Sequence, residues 1–144
     1  MKSLFLIANI AGGRIALESA RVESVVHIQD VISVPKSDPL VAGLFALRSR
    51  VLTLIDSQYL VTGIPQVAQK GALAVIADIG GHAFGLLVDS VEDVVAIDPD
   101  VIDSTIKPGL EWQSMVTGIA VVDGKLTMII DPVQIVGGAQ LLAT

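Results

Sequence analysis

A chain of 144 residues has the length of one ordinary domain, and with 52% apolar against 17% charged residues it can bury enough surface to offset its ordering entropy, which excludes intrinsic disorder. Nine basic against fifteen acidic residues leave a net charge of −6, which excludes the phosphate-binding electrostatics of a nucleic-acid protein. The absence of cysteine removes disulfides, thiolate nucleophiles and cysteine zinc sites together.

Twenty valines and sixteen isoleucines favour pleated strands, and only five aromatic residues are available, so the core is expected to be aliphatic. Apolar runs of four to eight residues recur between turn signals, the pattern of an all-β small barrel or sandwich. No window reaches the roughly 18 to 20 apolar residues of a spanning helix. Lys2 followed by Leu4-Phe5-Leu6-Ile7-Ala8 imitates a signal peptide, but Asn9 and Gly12-Gly13-Arg14 cut the run short. A strand entering a hairpin, in a cytoplasmic protein, is the expectation. Further along, Lys36-Ser37-Asp38-Pro39 predicts a loop leading into a short helical turn over residues 40–42. Gly12-Gly13, Gly80-Gly81 and Asp123-Gly124 predict three two-residue hairpins, because each supplies residues that tolerate positive φ between apolar runs. Asp131-Pro132 reads as a helix start with Val133, Ile135 and Val136 on its apolar side and Gly137-Gly138 at its end. Residues 139–144 have little to anchor them.

Self-similarity is the most informative pattern. Ile7-Ala8-Asn9-Ile10 superposes on Ile76-Ala77-Asp78-Ile79 at an offset of 69 residues, which carries Val22-Glu23 onto Val91-Glu92, Val25-Val26 onto Val94-Val95 and Ile28 onto Ile97. One inserted residue brings Val31-Ile32 onto Val101-Ile102, and at an offset of 75 Gly43 falls on Gly118 and Leu54-Ile55-Asp56 on Ile129-Ile130-Asp131. Apolar matches arise from patterning alone, whereas the paired Glu, Gly and Asp positions do not. The chain therefore reads as a single domain, 1–144, made of pseudo-repeats over roughly 5–62 and 73–136, each with strands enough for one small barrel and with a groove between the barrels.

Catalytic groups are scarce. His27 alternates within a Val-rich strand and His82 sits at a turn, and neither has the neighbours of a metal site. Asp98, Asp100 and Asp103 around Pro99 lack the Gly and terminal Glu of a calcium loop and read as a solvated loop. Neither Gly12-Gly13 nor Gly80-Gly81 precedes a helix that could hold a phosphate, and Glu92-Asp93 alternate in facing along a strand. No catalytic, cofactor or metal residue is assigned. A small β-barrel enzyme or ligand carrier would have Asp78, His82 and Asp89 as its best residues, and a self-pairing scaffold would use strand edges. Arg48 and Arg50 flank Ser49 between two apolar segments, as a solubilising hairpin tip or as an arginine presented to a partner.

The order Val34-Pro35, then Gly43-Leu44-Phe45-Ala46-Leu47-Arg48-Ser49-Arg50-Val51-Leu52-Thr53-Leu54-Ile55-Asp56, resembles the signature of CheW-like chemotaxis coupling domains. Gly85-Leu86-Leu87-Val88-Asp89-Ser90-Val91-Glu92-Asp93-Val94 and the segments from Gly118 to Asp131 resemble the family's later part, so that the likeness runs from Leu4 to Val136. It implies two intertwined five-stranded SH3-like β-barrels and a non-catalytic, cofactor-free adaptor, monomeric on its own. Its implied partners are chemoreceptor signalling tips, lying in the groove between barrels, and the regulatory domain of the histidine kinase CheA. The same resemblance makes Arg48, Ser49, Gly43, Val22, Gly85, Val91 and Val94 the expected partner-binding positions, without membrane insertion or nucleic acid. Ser49 stands where the family has glycine, Thr53 where proline is common, and Ser57-Gln58 where Leu-Arg is usual. These departures leave open an adaptor of a non-chemotaxis array, and a glycine lost at Ser49 is expected to shift the Arg48 tip.

Overall fold

A computed structural model describes residues 2–34 and 38–137. Among these residues the first half supplies β1 (Ser3–Ile10), β2 (Gly13–Glu18), β3 (Val22–His27), β4 (Val31–Ile32), β5 (Val41–Leu47), β6 (Arg50–Ile55) and a short helix α1 (Ser57–Thr62). The second half supplies β7 (Leu73–Ile79), β8 (His82–Val88), β9 (Ser90–Ile97), β10 (Val116–Val122), β11 (Lys125–Ile130) and α2 (Pro132–Gly137). They form a five-stranded sheet, β10-β11-β2-β1-β9, and a six-stranded sheet, β3-β7-β8-β6-β5-β4. The sixth strand is the two-residue β4, whose counterpart in the other sheet is a single bridge between Asp103 and Ile119. In the six-stranded sheet the two outer strands, β3 and β4, follow one another in the chain, so the backbone itself joins the sheet's ends, as in a small barrel.

The two barrels are intertwined, as the resemblance implies. The β1–β2 hairpin of the first half lies between β9 and β11 of the second, and the β7–β8 hairpin of the second lies between β3 and β6 of the first. Period-two alternation explains how these hairpins serve two cores at once. On β1, Phe5 and Ile7 fill the five-stranded barrel with Ala16, Ile97, Ala120 and Ile129, while Leu6, Ala8 and Ile10 point the other way. On β7, Ala74 and Ile76 fill the six-stranded barrel with Ile28, Phe45, Leu52 and Leu54, while Val75, Ala77 and Ile79 face Leu6 and its neighbours. The continuous run from Leu4 to Ala8, which imitates a signal peptide, belongs to a central strand buried on both faces from Phe5 to Ala8.

Tight turns follow the predicted glycines with one displacement. Gly80-Gly81 and Asp123-Gly124 both have positive φ, the requirement of a type I′ hairpin, but the first turn is Ala11-Gly12, at φ 51° and 79°. Gly13 is already in β2, where a Cβ would lie 2.5 Å from Cζ2 of Trp112. The helical turn expected over residues 40–42 is absent: a turn closed by Val41 N–H to Asp38 O, 2.8 Å, leads straight into β5. Lys36 and Ser37 of the predicted loop, Pro35 before them, the Val136 side chain and residues 138–144 lie outside the described residues.

Candidate interaction site

Leu47 pairs with Arg50, so Arg48 and Ser49 alone make the tip of the β5–β6 hairpin. Arg48 carries the positive φ, 59°, and Ser49 does not, whereas both residues of the equivalent Asp123-Gly124 tip do. Both residues are exposed, and Arg48 has no hydrogen bond or ion pair with any described residue. Its neighbour behaves differently: Arg50 Nη2 donates to Glu23 Oε2 at 3.0 Å and is tied to β3. Outward from the tip runs an apolar stripe, because Ala46 and Val51 are a cross-strand pair on the face opposite Phe45 and Ile32 pairs with Leu44 on that same face. Val51 and Ile32 remain 68% and 66% exposed. The second barrel ends in an equivalent pair, Val121 and Leu126, behind the Asp123-Gly124 tip.

Other expected site residues are dispersed by the fold. Val94 lies on β9 opposite Leu6 and is 44% exposed. Val22 and Val91 are half-buried against the core shared by the two sheets. Gly43 and Gly85 are buried: a Cβ on Gly43 would lie 2.6 Å from Val31 Cγ1, and one on Gly85 would lie 2.7 Å from Phe45 Cε1. Gly118, the repeat counterpart of Gly43, packs in the same way at 2.6 Å from Ile102 Cγ2. Between the barrels, along β1, β2, β7 and β8, lies the central core, which Leu40, Trp112, Met115 and Ile135 also enter.

Two polar anchors hold the strands that carry these positions. The repeat glutamates Glu23 and Glu92 are each the extra residue of a β-bulge, since Val22 and Ser24 pair with consecutive partners on β7 and Val91 and Asp93 with consecutive partners on β1. Glu92 accepts from Arg14 Nε at 3.2 Å and Asn9 Nδ2 at 3.1 Å, and these bonds hold its carboxyl below the usual glutamate range. Arg14, with its side chain 11% exposed, also donates from Nη1 to Val122 O and to Thr127 Oγ1, joining β2 to the β10–β11 hairpin. In the sequence Arg14 stands out only as the end of an apolar run, a cation immediately after a glycine pair, because its partner Glu92 is 78 residues away. The second anchor is Asp56, buried at the start of α1, which accepts from Tyr59 N at 3.1 Å and Gln66 N at 2.7 Å. Burial pushes its carboxyl up, against those backbone donors. Asp131 opens α2 equivalently, accepting from Val133 N.

The catalytic alternative does not converge. Asp78 closes its own turn by accepting from Gly81 N, and His82 and Asp89 flank opposite ends of the seven-residue β8. His27 Nδ1 lies 3.1 Å from Gly71 O, and no group of three or more His, Asp or Glu among the described residues could hold a metal. Asp98 and Asp103 cap Asp100 N and Thr105 N respectively, as a solvated loop requires. No helix among the described residues is long and apolar enough to cross a membrane.

This arrangement has relatives. The chemotaxis protein CheW of Thermotoga maritima is 27% identical over 117 residues, covering 81% of this chain and 76% of the relative. The crystal structure of the scaffolding protein TtCheW from Thermoanaerobacter tengcongensis superposes with a TM-score of 0.78 at 25% identity, covering 90% of this chain and 84% of that one. The CheW-like domain family matches residues 4–140, and the chain belongs to that family.

Proposed function

We propose that this protein is a non-catalytic chemotaxis scaffold of the cytoplasm, recruited to receptor arrays, that couples chemoreceptor tips to the regulatory domain of the histidine kinase CheA. The observation that carries the reading is the Arg48 tip: an exposed cation without a partner among the described residues, held at φ 59° beside an exposed apolar stripe, in a chain of the CheW-like family. An arginine next to desolvatable apolar surface is the composition of an interface anchor. The names of the relatives, a chemotaxis protein and a scaffolding protein, support the same reading. Within it Arg48, Ser49 and Val94 touch partners directly, while Gly43, Gly85, Val22 and Val91 act by fixing the shape of the strands beneath. The domain is a duplicated unit that is monomeric on its own and uses no cofactor.

Titration calorimetry of the purified protein against the kinase's regulatory domain and against a receptor tip tests this. The expected result is reversible binding to each near micromolar Kd, about 8 kcal/mol. Absence of binding to both rejects the reading.

A further inference from the structure

Neither half of this chain completes a barrel. Four strand pairings join the halves, β1 with β9, β2 with β11, β3 with β7 and β6 with β8, and the central core is drawn from both. One covalent link connects them, residues 63–72 between α1 and β7, which contain neither helix nor strand. Gly63 and Gly71 in this tether have positive φ, and Ile64 and Val67 are exposed. Among the described residues its hydrogen bonds to the rest of the protein run to the first half, among them Gln66 N to Asp56 Oδ2, Gly71 N to Ile28 O and Ile28 N to Ala72 O, each 2.7 Å, and the contact of Gly71 O with His27.

From this topology we infer that the halves are exchangeable parts, and that the protein can associate with a second copy of itself by pairing the first half of one chain with the second half of the other. An exchanged dimer keeps all four pairings and the central core, and differs from the monomer only in the path of the tether. The native tether favours the closed monomer, because short flexible links give effective concentrations of about millimolar. Shortening it removes that advantage and favours exchange. The dimer would carry two Arg48 tips on one particle.

A disulfide across one of these pairings distinguishes exchange from face-to-face association, and the chain has no cysteine of its own to interfere. Leu4 lies opposite Ala96 across β1 and β9, and both are exposed. Directly opposed strand residues have Cα separations within the range of a disulfide. Full-length chains carrying Leu4→Cys alone and Ala96→Cys alone are mixed, unfolded, refolded together and oxidised. With the native tether at about 10 μM, a hundredfold below the effective concentration, the chains are expected to stay uncrosslinked monomers. With residues 66–70 deleted from both chains, the disulfide-linked heterodimer is expected to become a major species. A shortened chain that folds as a monomer, or that dimerises without the disulfide, overturns the inference. Should the shortened chain fail to fold, the native-tether pair refolded at about 1 mM decides: a crosslinked share that rises with concentration supports exchange, and its absence overturns it.

Discussion

A methyl group added at Gly85 would lie 2.7 Å from Cε1 of Phe45 and 3.2 Å from Cδ1 of Leu54, inside the six-stranded barrel. Gly85→Ala is therefore expected to cost about 1–3 kcal/mol in urea unfolding, through overpacking of a closed core. Unchanged stability would show that Phe45 can move aside. Glu92 makes a different kind of contribution, readable by pH. Arg14 and Asn9 favour its ionised form, so the native carboxyl sits below its unfolded value. The stability it adds is present above about pH 4.3 and is lost as pH falls through the depressed native value. Glu92→Gln is expected to flatten the acid limb of a stability–pH curve, and an unaltered limb would remove Glu92 from it. The pairing of Glu23 with Glu92 along the sequence was legible as a repeat. Its cause was not, because a bulge depends on which strand each glutamate lies beside, and those neighbours come from the other repeat.

Strands and their tight turns were largely legible, since alternating Val and Ile and paired glycines act locally. Helix α1 was missed, although the repeat that matches Asp56 to Asp131 carries the same cap to both helices, and Gly63 at φ 73° ends the first. Asp56 does more than cap: its second oxygen holds Gln66 N and so ties the tether to the helix start. Asp56→Ala is expected to cost about 1–2 kcal/mol, the range of a lost N-cap, with the tether becoming more susceptible to proteolysis. Equal cleavage of variant and parent would deny Asp56 that anchoring role. Because burial raises its native carboxyl, Asp56 has the opposite pH sign from Glu92. Its contribution is present below about pH 3.9 and is lost as pH rises through the native value. Asp56→Asn is expected to diminish that loss, and an unchanged slope over this range would contradict the assignment.

At the scale of the whole molecule, each barrel is built from both halves of the chain and the two share a central core, so they are expected to unfold together. Calorimetry is expected to show one transition whose van't Hoff and calorimetric enthalpies agree. Two resolved transitions would contradict the interleaved fold. The excess of apolar residues follows from that fold: two barrel interiors and the layer between them each need filling, and Val and Ile suit small barrels. Arg48 was legible as a conspicuous cation, but its isolation from Arg50 was not, because Glu23 reaches Arg50 only once β3 and β6 are folded into one sheet. The most direct measurement of the scaffold reading is receptor-dependent activation of the kinase with Arg48→Glu, beside a melting curve of the variant. A melting temperature within about 2 °C of the parent, as surface changes usually allow, with activation reduced at least tenfold, is the expected result. Full activation by the folded variant would contradict it.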